Sequence, residues 1–391
     1  MNYRWLAILL ALTLTGCASL PTAAPILTPL ATVNAPVSTA PNPTMAASAT
    51  LVPSPSPTGS EASAALGTDT DPLTGLKVSN PNLLNRRPMA IKVENIPRAD
   101  RPQFGLSFAD VVYEYYTEEG ASRFIAVYYG QDAQQVGPIR SARFFDVNVV
   151  RMYKAIFAFG SAWIRVLDRL RQSSFSDLLV VETGNDCPPM CRFEPNGRNF
   201  LITDTAKLSA YITQKGIDNS RQDLSGMNFQ SSAPAGGQPL SRLYVRYSAA
   251  DYARWDYDPA TGLYTRSVDQ QDDPTGTKEI YGVLTDRSTK QPITAANVVV
   301  LLIPTDYVIR PPKGEVVDME FNSIGAAYGL RDGQVYKLQW ERLNPDSIVQ
   351  ISFPDGTPYP YKPGNTWYEV IGASSTLTQQ NDGWRFIFKI P

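Results

Sequence analysis

The chain has 391 residues, a formal net charge of −2 and no histidine. That length accommodates two ordinary domains, and the near-zero charge, with no long basic stretch, excludes a nucleic-acid-binding track. Without imidazole there is no Ser-His-Asp or Cys-His nucleophile system and no His-ligated metal centre, so acid–base chemistry falls to carboxylates, tyrosine or lysine.

In chain order, Arg4 is followed by the apolar run Trp5 to Leu12 and then by Leu14-Thr15-Gly16-Cys17. A charged start, a short apolar stretch and small residues before the cut are the layout of a secretory signal. The run falls short of the ~20 residues that span a bilayer. A cysteine directly after the small residues is a lipobox. Residues 1–17 are therefore expected to be a lipoprotein signal peptide, with Cys17 diacylated (palmitate-type) as the first residue after cleavage. The expected location is extracytoplasmic, lipid-anchored to a bacterial membrane. Residues 18–70 are dominated by Ala, Ser, Thr and Pro, without periodicity and almost without charge. They cannot bury enough surface to offset ordering entropy and read as a disordered tether.

Residues 71–230 read as a mixed α/β domain. Met89 to Asn95 alternates like a strand. Val111 to Tyr116 and Arg123 to Tyr129 form a hairpin about Glu119-Gly120. Ser141 is expected to cap a helix carrying Phe145, Val149 and Met152, and Ala155 to Gly160 is a buried strand. Ala162 to Leu170 continues as a helix, and Asp204 caps a further one stopped by Gly216. Residues 220–239 are loose and polar. Residues 240–391 then read as a β-rich domain with strands about Leu243 to Tyr247, Val298 to Ile303, Val335 to Trp340, Ser347 to Phe353 and Trp367 to Ile371. The fold class is α+β: a mixed α/β half followed by a β-rich half.

Of three cysteines, Cys187 and Cys191 remain after lipidation, and outside the cytoplasm such a close pair is expected to form a local disulfide. The segment Asp269-Gln270-Gln271-Asp272-Asp273 lacks the spacing of an EF-hand loop and reads as a solvated turn. No P-loop, dinucleotide fingerprint or G-x-S-x-G occurs, so neither a cofactor nor a metal site is expected.

The densest candidate chemistry lies between Arg98 and Asp146. An even hairpin register places Glu114 opposite Ile125 and diagonal to Arg123, giving a cross-strand pair that is either structural or part of a site. If Ser141 caps the helix, Arg140 and Arg143 crowd its positive end, where cations are disfavoured unless an anion joins them. The alternative pairs them with Glu94, Asp110, Glu114 or Asp146. Arg140, Arg143 and Arg123 are thus candidate anion contacts, with Glu114 and Asp110 as acidic partners or catalytic carboxylates.

The blocks Arg87 to Asn95, Arg101-Pro102-Gln103-Phe104-Gly105-Leu106, Ala109 to Glu114, Arg123-Phe124 and Gly137-Pro138-Ile139-Arg140-Ser141-Ala142-Arg143 resemble the YerB-like bacterial lipoproteins. Ala296 to Val300, Asp355-Gly356 and Pro363 to Trp367 continue the likeness into the second half. The resemblance implies paired domains of unknown function (DUF3048 type) and an envelope address, and it brings no activity. Relatives tend to carry a histidine before the positions of Gly160-Ser161 and of Asn199. Here those places hold Phe159 and Arg198, which weighs against a catalytic reading. Two functions stay open. The first is a non-catalytic lipoprotein binding an anionic ligand, a cell-wall polymer or an envelope protein. The second is an enzyme acting on a phosphorylated or glycosidic wall polymer with the carboxylates and arginines above. The membrane is a partner through the lipid, and no nucleic acid is expected.

Overall fold

The computed structural model describes residues 67–184, 187–194, 199–380 and 382–391. The signal, Cys17 and the tether up to residue 66 lie outside the described residues, as does Arg198. No helix among the described residues is long and apolar enough to cross a membrane.

The first half supplies strands β1 (Met89–Glu94), β2 (Val111–Glu118), β3 (Ala121–Tyr128), β4 (Ile156–Phe159) and β5 (Leu179–Val181). Its α-helices are α1 (Phe144–Tyr153), α2 (Ile164–Arg171) and α3 (Thr205–Gln214), the only ones among the described residues. The second half supplies β6 (Arg242–Arg246), β7 (Tyr252–Asp258), β8 (Leu263–Asp269), β9 (Asn297–Ile303) and β10 (Ile324–Arg331). It continues with β11 (Gln334–Glu341), β12 (Gln350–Ser352), β13 (Thr366–Gly372), β14 (Thr376–Gln380) and β15 (Gly383–Ile387). The protein is sheet-rich with few helices, a mostly β fold.

The main sheet runs β12-β11-β10-β9-β13-β2-β3-β1-β4-β5, with strands of both halves hydrogen-bonded side by side. At its centre β9, β13 and β2 are parallel, with Val298, Trp367 and Val112 in register. Covered on both faces, these strands are nearly continuous apolar runs, as buried parallel strands require. Glu114 and Glu369 interrupt them, side by side in adjacent strands and fully buried.

Alternation along β2 sends its side chains to opposite faces. Tyr113 and Tyr115 meet Phe145 of α1, with ring centroids 6.1 and 4.6 Å apart, and Tyr113 also contacts Tyr153. Helix α3 is capped as its sequence predicts: Asp204 accepts Lys207 N–H, Leu208 and Ile212 are buried, and Gly216 takes a positive φ. Glu114 points to the other face. There a second sheet, ordered Tyr281–Val283, β8, β7, β6, β15 and β14, sends Tyr247, Trp255 and Arg266 onto Trp367 and Glu369 of β13.

Helix α1 begins later than expected. Its N-cap is Arg143 rather than Ser141, and the Asp146 carboxylate accepts Arg143 N–H at 2.7 Å. Ser141 stays in an extended segment because Ala142 pairs with Ala162, donating its N–H to Ser161 O. The expected solvated turn at Asp269 is also corrected: Asp269 is buried and pairs with Arg98 and Arg101.

Cys187 and Cys191 are disulfide-linked, closing the lead-in to Met190–Phe193, which pairs with Phe200–Thr203. The closed loop is short, so little chain entropy is removed. Changing both cysteines to serine should cost only about 2 kcal/mol, measured by urea unfolding. A loss several-fold larger would mean that the bridge holds more than its own hairpin.

Candidate functional site

The segment Gly137 to Ala142 threads between β1 and the strand Phe200–Thr203. Glu94 N–H donates to Pro138 O, Arg140 N–H to Lys92 O, and Ile139 N–H to Leu201 O. Gly137 is required by close approach, since a Cβ there would lie 2.7 Å from Leu201 O. This threading presents Arg140 at a cleft of about 220 Å³, lined also by Asp100, Ile139, Asn199 and Phe200. The Arg140 Nε donates to Glu94 and its Nη2 to Asp100 at 3.2 Å, while the side chain remains 42% exposed. Among the described residues Nη1 donates to nothing, so the fork is held on one edge and open on the other. Burial pushes Glu94 up to about 7 despite the pull of Arg140, and its Oε2 is buried without a donor. Next to this cleft the Ser141 and Ser161 hydroxyls are bonded at 2.7 Å.

Arg143 and Arg123 belong to a different cluster. Both converge on Glu118: Arg143 through Nε and Nη2, Arg123 through Nη2 at 3.0 Å. Their Nη1 atoms are also engaged: Arg123 Nη1 donates to Ser141 O at 3.0 Å and Arg143 Nη1 to Ala142 O at 3.0 Å. Burial tends to raise the Glu118 pKa, but the two guanidinium groups outweigh it and hold the carboxyl below the usual range. Behind them Lys92, fully buried, donates to Tyr115 OH at 2.5 Å and to Asp146 at 3.2 Å. Burial lowers its ammonium pKa to about 7, against the attraction of Asp146. Glu118, the partner that joins Arg123 to Arg143, was not among the sequence candidates, although it stands beside the hairpin turn.

The expected Glu114–Arg123 pair does not form. The two-residue turn is right, with Glu118 opposite Ala121, but a bulge between Tyr116 and Glu118 shifts the register by one. Glu114 then lies opposite Phe124, and Arg123 opposite Tyr115 on the other face. Glu114 accepts from Ser122 Oγ at 2.8 Å and Asn95 Nδ2 at 3.1 Å, and pairs with Arg266. Arg266 in turn donates to Glu369 at 2.8 Å, and all three side chains are fully buried. Burial drives the Glu114 pKa well above its ordinary value, against the opposing pull of Arg266. Asp110 is likewise remote from the arginines. It stands at the opposite end of β2, where its Oδ2 accepts the Tyr129 and Gly130 N–H groups at 2.5 and 3.0 Å. The sequence-derived set thus divides among four places: the Arg140 cleft, the Glu118 cluster, and the separate surroundings of Glu114 and of Asp110.

Comparison with known proteins follows the same outline. Residues 73–218 match the family described as "Protein of unknown function (DUF3048) N-terminal domain", and residues 243–368 match its C-terminal domain. A protein of Bacillus subtilis (strain 168) named "Putative lipoprotein YerB" is 29% identical over 309 residues, 77% of this chain and 85% of that protein. The crystal structure of YerB protein from Bacillus subtilis superposes with a TM-score of 0.63 at 26% identity, covering 77% of this chain and 96% of that one. With both paired domains matched in order, the chain belongs to the YerB-like DUF3048 family.

Proposed function

We propose that this protein is a lipid-anchored component of the bacterial envelope that works by binding. Its ligand is an anionic group, a carboxylate or phosphate of a wall fragment or envelope partner, taken at the Arg140 cleft. In this reading Cys17 carries the lipid, the mixed α/β half (71–230) presents the site, and the β-rich half (240–391) backs it. The observation that carries the reading is the state of Arg140: two carboxyls fix one edge of its fork while Nη1 has no partner among the described residues beside a cleft. Such a preorganised guanidinium loses little freedom on meeting an oxyanion. Arg123 and Arg143, turned to Glu118, shape the adjoining wall.

The charge balance gives the reading a pH dependence. Ionised, Glu94 places a negative charge against Arg140 and opposes an incoming anion; protonated, it removes that charge. Since Glu94 titrates at about 7, anion affinity should rise as pH falls from 8 to 6. Glycerol phosphate and muropeptides are suitable probes for calorimetry on the full-length chain. Arg140→Gln should abolish binding and Arg143→Gln should only weaken it. Binding that survives Arg140→Gln, or that strengthens towards pH 8, would place the site elsewhere.

A further inference from the structure

A second cleft, of about 520 Å³, opens at the far end of β2, with walls from both halves of the chain. Its size suits a small polar molecule. Thr74, Gln131, Thr294 and Asn365 contribute polar groups, and Leu76, 47% exposed, an apolar one. Two buried carboxyls, Asp71 and Asp110, line it side by side. Asp71 uses Oδ1 to accept Leu73 N–H at 2.8 Å, whereas its buried Oδ2 has no donor other than the proton it can share with the facing Asp110 carboxyl. The space beside that oxygen depends on glycine, because a Cβ on Gly130 would lie 2.4 Å from it.

At two other places facing carboxyls are bridged by a guanidinium: Arg266 joins Glu114 to Glu369, and Arg140 joins Glu94 to Asp100. Asp71 and Asp110 have no such bridge and face a cleft instead. The surrounding charges are engaged with other groups: Lys77 with Asp69 at 2.9 Å, Arg86 with Asp132 at 2.7 Å, and Arg221 with Thr68 O at 3.5 Å. Asp286, the remaining nearby carboxylate, accepts the Gly105 and Ser107 N–H groups. Like charges this close cannot both ionise unaided, and burial pushes both groups up, Asp71 to about 6.

We propose that the Asp71–Asp110 cleft binds a polar ligand through a primary ammonium group, which takes the bridging place that arginine fills elsewhere. An ammonium brings three donors and no acceptor, matching the buried Asp71 Oδ2 that no N–H reaches; Asp110 already accepts the Tyr129 and Gly130 N–H groups through its Oδ2. A metal ion would need more ligands than this pair supplies, and no group of three acidic, cysteine or histidine side chains among the described residues could hold one. Binding ionises both carboxyls and releases the proton retained between them, so affinity rises with pH from 5 to 7, above which the amine itself begins to lose its proton.

The test uses matched probes on the full-length chain: glucosamine against N-acetylglucosamine, and D-alanine amide against its N-acetyl form. Each acetylated partner replaces the ammonium by a neutral, larger amide. At 10 mM, at least one amine should raise Tm by about 3 °C at pH 7, with a smaller shift at pH 5 and none from its acetylated partner. Asp71→Asn keeps the fold, because its amide can donate to Asp110 as the shared proton did, and it should lose the response. Equal protection by acetylated probes, protection by calcium chloride in place of the amines, no protection by either amine, or a full response in Asp71→Asn would each overturn the proposal.

Discussion

Replacing Arg266 by methionine is expected to destabilise the protein by about 3–5 kcal/mol, because it strands two facing carboxylates in the interior. Glu114 and Glu369 lie in adjacent parallel strands, and Arg266 reaches them from the second sheet with no exposure of any of the three. The cost comes from the uncompensated charges rather than from the attraction itself. Removing the set together should therefore cost less than removing its centre. The triple change Glu114→Met, Arg266→Met, Glu369→Met should recover part of the loss, though not all, since Tyr247 and Trp255 donate to Glu369. Urea unfolding of the single and triple variants decides the matter. A single variant within about 1 kcal/mol of the parent would show that the carboxyls are already neutral and need no bridge.

The second large effect is expected at Trp367. Its ring sits between Phe124 and Trp255, with centroids 5.2 and 5.3 Å away, beneath the Arg266 guanidinium at 4.6 Å. Trp367→Ala should cost about 3–5 kcal/mol through lost burial and the cavity left between two sheets. Its Nε1, however, is buried without an acceptor. Trp367→Phe therefore removes an unsatisfied donor along with some volume, and its cost should be well under half that of the alanine variant. Equal losses for the two changes would mean that the indole nitrogen has a partner in solution.

Local features of the fold are legible in the residues. Glu119-Gly120 announces its turn, and both residues adopt the positive φ, 51° and 81°, that a tight hairpin demands. The Asp204 cap and the Gly216 stop follow in the same way. One inserted residue at the bulge is not legible, yet it moves Arg123 to the face opposite Glu114. The start of α1 depended on whether Ser141 caps forwards or Asp146 reaches back, and the strand-like pairing of Ala142 with Ala162 decides it. Long-range pairing is the least accessible. Nothing near Glu114 points to Arg266 or Glu369, although a lone glutamate inside Trp367-Tyr368-Glu369-Val370-Ile371 was a sign that a buried cation must exist somewhere. Arg140 was singled out for its expected place at the positive end of a helix capped by Ser141, although the cap proves to be Arg143. The partner of Arg140, Asp100, was not, since forty residues of chain intervene.

The place of β13 in the main sheet bears on how the chain is made. It is the strand that joins β2 to β9, and its residues, Thr366–Gly372, come near the end of the polypeptide. Until they emerge, β2 has one edge of unpaired N–H and C=O groups, flanked by aromatic side chains, and it waits through some 250 residues of synthesis or export. The two halves thus mature together rather than in succession. Closure of the sheet is a late, non-local and slow event, and until it occurs the open edge of β2 is a hazard for pairing with other chains.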